Sequence, residues 1–145
     1  MIMRPAAVLT VALLFGCSST PHPYEADMID VTLPAPAEQV RTAVTQVLTE
    51  GGYDVEWKDE QTVHTGYREE TRGPWDWLYL WRFGTIKSRV EGMVTPSTDQ
   101  STRVRLHVLT QGKDGIFMSW KDQQSALPQS ADNQLRLIKN ALNIL

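Results

Sequence analysis

An apolar run near the start of the chain limits which residues can contribute to the folded domain. Arg4 precedes ten mostly apolar residues at positions 6–15. A helix needs about 20 apolar residues to cross about 30 Å of hydrocarbon, so this run is too short to span a membrane. A basic residue followed by an apolar run of this length is typical of a secretory signal peptide. The pattern predicts that residues 1–16 are removed before the protein folds.

The apolar run ends in Leu14-Phe15-Gly16-Cys17. This sequence resembles the lipobox of bacterial lipoproteins. In that family the signal peptide is cut before the cysteine, a diacylglyceryl group is attached to the thiol, and the freed amine is then acylated. The resemblance implies that Cys17 is a lipid attachment site, and two or more acyl chains give stable anchoring. The alternative is a plain secretory signal with a cysteine nearby by chance.

The residues after the cysteine bear on where the protein is held. Lipoproteins retained in the inner membrane of enteric bacteria typically carry Asp after the cysteine, and here the residue is Ser18. The resemblance therefore implies the periplasmic face of the outer membrane. The stretch up to residue 27 contains two prolines and small polar residues without periodicity, which predicts a tether. Residues 17–27 are thus interpreted as the lipidated cysteine with a flexible tether, and residues 28–145 as one domain.

The charge composition of the chain bears on whether it binds nucleic acid, and its cysteine count bears on how it folds. Without residues 1–16 the chain has 13 basic and 17 acidic residues, a formal charge of −4. Nucleic-acid binding is favoured by a basic footprint, so this balance argues against it. Cys17 is the only cysteine. Once lipidated it cannot pair, so the exported domain has to fold on an apolar core without disulfides.

The predicted domain begins with a strand and a helix. Apolar and polar residues alternate from Met28 to Leu33, which predicts a half-buried strand. A helix is expected from Pro36, and Gly51-Gly52 predicts its end through a left-handed C-cap. A single apolar stripe at helical spacing supports it. The residues of that stripe are Val40, Ala43, Val44, Val47 and Leu48.

The remaining pattern completes an α+β fold. Further strands are predicted at 53–58, 62–69, 85–95, 103–108 and 116–120, with Gly66 marking a bulge or close approach. Val63, Thr65 and Tyr67 are expected on one face of the second of these. Residues 122–129 are expected to form a loop, and a terminal helix should run from the N-cap Ser130 to Leu145. The order β-α-β-β-β-β-β-α predicts an antiparallel sheet of about five to six strands with two helices packed on one face.

This layout resembles the helix-grip domains of the BamC lipoproteins, which are accessory components of the outer-membrane β-barrel assembly machinery. The similarity is carried by Gly66-Tyr67-Arg68, an aromatic run that closes on Trp81, Thr102-Arg103-Val104 and the two helices. It implies a helix-grip fold and a role in envelope assembly. That family typically has a long N-terminal segment and two such domains, whereas this chain is interpreted as a ten-residue tether and one domain.

An aromatic segment between the predicted strands is the first candidate interaction surface. Trp75, Trp77, Tyr79 and Trp81 fall within nine residues that read as either a strand or a helical turn. Such side chains anchor protein interfaces and lipid headgroup regions. The alternative is that the rings fill the core beneath the terminal helix.

Basic residues on two neighbouring strands form the second candidate surface. Lys87 and Arg89 alternate with apolar residues, as do Arg103 and Arg105, so all four are expected on the solvent side of the sheet. A basic strip of this kind can contact lipid headgroups or an acidic partner. The alternative is a simple solvated face, and Glu91 is expected to interrupt the strip.

Catalytic motifs find little support in the sequence. His22 lies in the tether, while His64 and His107 lie on separate predicted strands without the spacing of a metal site. There is no G-x-S-x-G motif. The sequence therefore predicts a non-enzymatic protein without a metal or cofactor, which is anchored to the membrane by lipid and contacts envelope proteins. The alternative function is a periplasmic module that binds a lipid or other apolar ligand in a cavity between helix and sheet.

Overall fold

The computed structural model describes residues 26–69, 85–113, 118–125 and 129–144. Within these residues the protein is an α+β fold with seven strands in one antiparallel sheet and two helices. The predicted fold class is confirmed, and the strand count exceeds the predicted five to six. The elements are β1 (Asp27–Leu33), α1 (Ala37–Glu50), β2 (Val55–Trp57), β3 (Thr62–Thr65), β4 (Arg68–Glu69), β5 (Thr85–Thr98), β6 (Ser101–Lys113), β7 (Lys121–Gln123) and α2 (Ala131–Ala141).

A long hairpin forms the centre of the sheet. β5 and β6 pair from Thr85 opposite Lys113 to Thr98 opposite Ser101. The strand order is β1-β6-β5-β3-β2, with β4 also pairing with β5 and β7 with β6. β1 therefore lies beside β6, although more than 60 residues separate them in sequence. The hairpin thus brings residues from both ends of the domain onto one sheet.

Local sequence features account for the two ends and the buried face of α1. Pro36 is its N-cap, with φ of −61°, and the predicted apolar stripe is buried. Gly52 follows the C-cap Gly51 and has φ of +81°, which confirms the predicted left-handed ending. Thr102 Oγ1 donates a hydrogen bond of 2.7 Å to the carbonyl of Ala35, which fixes the turn between β1 and the helix against the hairpin.

The core lies between one sheet face and the helices. Both helices contact each other and the sheet. Alternate residues of β1, β3, β5 and β6 point into this layer, and their neighbours point to the opposite side. The buried apolar residues are Leu33, Ala35, Val40, Ala43, Val44, Val47, Leu48, Tyr53, Val63, Val90, Val94, Val104, Leu106, Val108, Ala131 and Ile138.

The predicted strand 62–69 is divided in two. β3 ends at Thr65 and β4 begins at Arg68, so the prediction of one continuous strand is wrong and the irregularity expected at Gly66 is confirmed. The gap leaves the N–H of Val90 without a strand partner, and Thr65 Oγ1 accepts its hydrogen bond at 2.8 Å. Past the break, the Tyr67 ring lies against Lys87 and Arg89, on the opposite face of the sheet from the buried Val63. The prediction that Val63 and Tyr67 share one face is therefore wrong.

Two boundaries near the C-terminus also differ from the prediction. Residues 118–120 are not in a strand, and β7 at Lys121–Gln123 replaces part of the expected loop. A side-chain hydrogen bond supports the pairing of β7 with β6, because Gln111 Nε2 of β6 donates to Asp122 Oδ1 of β7 at 3.0 Å. α2 ends at Ala141 instead of Leu145, and Asn143, with φ of 54°, turns the chain out of the helix.

Candidate functional site on the outer face of the sheet

The sheet face opposite to the helices, called the outer face below, carries a dense set of charged side chains. β1, β3, β5 and β6 all contribute, because every second residue of these strands points away from the core. The charged and titratable residues of the outer face include Asp30, His64, Lys87, Arg89, Glu91, Arg103, Arg105 and His107. The four basic residues expected on the solvent side therefore do share one face.

Asp30 joins two of these arginines. Arg103 donates from Nε to Oδ1 at 2.7 Å and from Nη2 to Oδ2 at 2.8 Å. Arg105, the direct cross-strand neighbour of Asp30, donates to Oδ2 from Nε at 3.0 Å and from Nη2 at 2.7 Å. The side chains of Arg103 and Arg105 remain 58% and 50% exposed. Two guanidinium groups are thus held in place and still accessible.

The same contacts set the protonation of the cluster. The hydrogen bonds from Arg103 and then Arg105 lower the pKa of Asp30 from 3.8 to about 2. The hydrogen bond to Asp30 likewise raises the pKa of Arg103. Both pKa shifts have one cause. The charged guanidinium stabilises the ionised carboxylate, and the carboxylate in turn stabilises the protonated guanidinium. The cluster is therefore fully ionised at neutral pH, with a local charge of about +1 from two cations and one anion.

Glu91 lies at the middle of the outer face and does interrupt the basic strip. Its cross-strand neighbours are His64 on β3 and His107 on β6. Arg89 Nη2 lies 3.1 Å from Glu91 Oε1, and His64 Nδ1 lies 4.0 Å from the same oxygen. His107 Nε2 and Arg89 Nε are buried and have no hydrogen-bond partner among the described residues. Among those residues no group of His, Cys, Asp or Glu is arranged to hold a metal ion.

Lys87 is held between two aromatic rings at one end of the outer face. Its Nζ lies 4.2 Å from the ring centroid of Tyr67 and 4.1 Å from that of Trp120. Arg89 adds a third contact, with its guanidinium carbon 5.0 Å from the Tyr67 ring. Cations at these distances are attracted by the ring quadrupole. The four basic residues therefore contact Asp30, Glu91 or an aromatic ring, and the outer face is a charge-paired surface rather than a continuous basic strip.

Several predicted site residues lie outside the described part of the chain. They are Cys17, Trp75, Trp77, Tyr79 and Trp81. Of the predicted interaction residues, the structure brings Arg103 and Arg105 together. Sequence reasoning missed Asp30 as their partner, because the pairing of β1 with β6 cannot be inferred from residues so far apart along the chain. It also missed Trp120, which lies on a segment that had been predicted as a strand.

Neither the protein-family models nor the curated proteins give a match to the sequence. Within the described residues, no helix has the length and apolar character needed to cross a membrane.

Proposed function

We propose that this protein is a non-enzymatic lipoprotein, anchored through Cys17 at the periplasmic face of the outer membrane, which serves as an interaction module in envelope assembly. Its domain is a helix-grip-like fold similar to that of the BamC lipoproteins. The observation that carries the interaction role is the arginine pair on the outer face, in which Asp30 holds Arg103 and Arg105. The partner is an acidic protein surface of the envelope.

Held arginines are well suited to binding. Arginine is enriched at the energetic centres of protein interfaces, where its planar group makes several directed hydrogen bonds. Ordering a flexible side chain on binding costs about 0.5–1.5 kcal/mol. Arg103 and Arg105 are ordered before any partner arrives, since each donates two hydrogen bonds to Asp30. Both remain half exposed, so carboxylates of a partner can reach the unused donors.

The alternative role as a carrier of an apolar ligand requires space between the helices and the sheet. In the described structure this layer is filled by side chains that are completely buried. Val40, Val44 and Leu48 of α1 belong to the same buried cluster as Val90 and Leu106 of the sheet. Close packing of this kind favours an interaction module over a carrier.

The anchor is tested by mass spectrometry of the native protein and of Cys17→Ser. The expected result is a diacylglyceryl cysteine at the N-terminus of the native protein and a soluble, unacylated Cys17→Ser. An unmodified Cys17 or a cleavage at another position would remove the anchor from the proposal.

The interaction role is tested by affinity capture from detergent-solubilised envelopes, with quantification of the captured proteins. The double variant Arg103→Gln with Arg105→Gln should lose proteins that the native chain captures. Lys58→Gln is the matched control, because it also removes a cation but lies in the exposed turn between β2 and β3. Equal capture by the native and double-variant chains would contradict the role of the arginine pair.

A further inference from the structure

Strand β1 forms one edge of the sheet, and among the described strands it pairs only with β6. It runs for seven residues, from Asp27 to Leu33, without a bulge and without proline or lysine. Natural sheets usually protect an edge with one of these features or keep the edge strand very short. The opposite edge follows this rule, because β2 has only three residues. β1 therefore has the form of a template for an added strand.

Hydrogen bonds on the other side of the central hairpin show which residues of β1 have free backbone groups. The N–H of Val90 on β5 points away from β6 and donates to Thr65 Oγ1, and the N–H of Val94 donates to the carbonyl that precedes β3. Directly opposite residues of an antiparallel pair either exchange two hydrogen bonds or both point away. Val108, opposite Val90, therefore turns its backbone groups towards Asp27 on β1. The residues of β1 that alternate with Asp27 direct their N–H and C=O groups to the free edge. They are Met28, Asp30 and Thr32.

The arginine pair lies at the same edge, because Arg103 and Arg105 reach from β6 across to Asp30 on β1. Each guanidinium binds Asp30 through Nε and Nη2, and no described residue accepts a hydrogen bond from Nη1 of either arginine. An added strand would lie about 4.8 Å beyond β1, so its outer-face side chains would reach these donors. The cluster has a surplus charge of about +1, which favours an Asp or Glu at that position.

The inner side of the same edge is apolar. Ile29 and Val31 pack against the core but are only partly buried, and α2 contacts β1 on this side. Apolar side chains of an added strand would cover these two residues, and removing apolar surface from water is favourable. Successive side chains of a strand point to opposite faces. The edge is thus complementary to a segment in which apolar residues alternate with polar ones that include a carboxylate.

We infer that β1 binds an extended segment of a partner protein as an additional strand, with a carboxylate of that segment held by Arg103 and Arg105. Backbone hydrogen bonds to Met28, Asp30 and Thr32 supply affinity, and the side chains on the two faces supply selectivity. The inference deepens the proposed function and rests on it, because the arginine pair belongs to both. It adds the conformation of the partner segment and the strand that receives it.

A second copy of the chain is less suited to this edge. Full overlap of two antiparallel β1 strands would place Asp30 of one copy opposite Asp30 of the other, and like charges directly opposite are destabilising. It would also bring together two clusters that each have a surplus positive charge. A partner that supplies a new carboxylate neutralises the surplus instead. Pairing with a second copy or with another segment of the same chain is an outcome that the experiment distinguishes.

The test is selection of phage-displayed nine-residue peptides on the full-length protein in detergent, with valine at every second position and random residues between. We expect Asp or Glu to be enriched at one of the random positions. A selected peptide is then synthesised and its affinity measured by fluorescence anisotropy. The double variant Arg103→Gln with Arg105→Gln should bind it about tenfold more weakly, and replacing its acidic residue should have no further effect in that variant. Lys58→Gln is the matched control and should bind like the native protein.

Thr32→Pro tests the strand pairing separately from the charge. Proline removes an N–H that points to the free edge, and proline is tolerated at such positions of edge strands. The variant should bind the peptide about tenfold more weakly, whereas Thr32→Ala keeps the N–H and should retain most of the affinity. Should Thr32→Pro fail to fold, hydrogen exchange in the native protein decides the test. Peptide binding should slow exchange of the Met28, Asp30 and Thr32 amides at least tenfold.

Three results would overturn the inference. One is the absence of any enriched acidic peptide, and another is unchanged affinity in the arginine double variant. The third is slow exchange of the Met28, Asp30 and Thr32 amides before peptide is added, because β1 would then already be paired with a second copy or another segment. If the arginine double variant loses binding but Thr32→Pro binds normally and peptide leaves these amides unprotected, strand addition is wrong and the proposed role of the arginine pair stands.

Discussion

Asp30 on β1 binds the guanidinium of Arg103 on β6 with both of its carboxylate oxygens, at 2.7 and 2.8 Å. The two residues are 73 positions apart in sequence. Bidentate hydrogen bonds between an arginine and a carboxylate are among the stronger hydrogen bonds in proteins. The pair therefore joins β1 to the central hairpin and fixes the orientation of the Arg103 guanidinium.

The stability of the protein should depend on the ionisation of Asp30 below pH 4. Its pKa is about 2 in the folded protein and 3.8 in the reference state, so the unfolded chain takes up the proton first as the pH falls. The contribution is thus present above about pH 4 and is lost towards pH 2. In urea unfolding between pH 2 and 5, Asp30→Asn should show a shallower loss of stability than the native protein.

Asp99→Asn is the control for this pH dependence, because Asp99 lies in the exposed turn between β5 and β6. It should keep the pH profile of the native protein. The pKa of Asp59 is also lowered, by hydrogen bonds from the backbone N–H groups of Gln61 and Thr62. That contribution remains in both variants. Identical profiles for Asp30→Asn and the native chain would show that the Asp30 contacts do not persist in solution.

Gly92 should not tolerate alanine. A methyl group there would lie 2.7 Å from Leu106 Cδ2 and 2.8 Å from Val63 Cγ1, closer than carbon atoms pack. Leu106 and Val63 are completely buried, so neither can move without disturbing the core. Gly92→Ala should therefore lower the free energy of unfolding by about 1–3 kcal/mol, measured by urea denaturation.

Gly66→Ala is the matched control for this substitution. The nearest atom to a methyl group at Gly66 is Asp54 Cβ at 3.7 Å, an ordinary contact. Its unfolding free energy should stay within about 0.5 kcal/mol of the native value. A loss as large as that of Gly92→Ala would indicate that close packing is not the cause.

The contact of Lys87 with Trp120 should be measurable by a double-mutant cycle. The ammonium lies 4.1 Å from the ring centroid, and the cross-strand position of Lys87 opposite Gln111 brings it beside β7. Lys87→Met and Trp120→Leu keep apolar bulk while removing the charge and the ring in turn. We expect a coupling energy of about 0.5–1 kcal/mol. A coupling near zero in urea unfolding would contradict the contact.

The elements with a clear period were predictable from the sequence. The apolar stripe of α1, the glycine ending at Gly52 and the alternation along β6 each arise from local geometry, so each is readable without knowing the fold. The outer-face position of Arg103 and Arg105 followed from the same alternation.

Features that depend on distant contacts were not predictable. The pairing of Asp30 with Arg103 needs β1 to lie beside β6, and no local pattern specifies that order. The short β7 forms because Gln111 and neighbouring residues of β6 provide partners, although its own sequence is polar. Arg68 of β4 and Gln134 of α2 line one depression only once the helices pack on the sheet.

Thr65 should stabilise the folded protein, because its hydroxyl accepts a hydrogen bond from β5 at the gap between β3 and β4. Its Oγ1 accepts the hydrogen bond of the Val90 N–H at 2.8 Å, and both residues are buried. Thr65→Val keeps the shape of the side chain but leaves that N–H without a partner, which should lower the free energy of unfolding by about 1–3 kcal/mol. Thr65→Ser keeps the hydroxyl and should lose less. Hydrogen exchange of the Val90 amide gives the direct measurement, since its protection should fall in Thr65→Val and persist in Thr65→Ser. Equal protection in the two variants would show that the hydroxyl does not hold the strands together at this break.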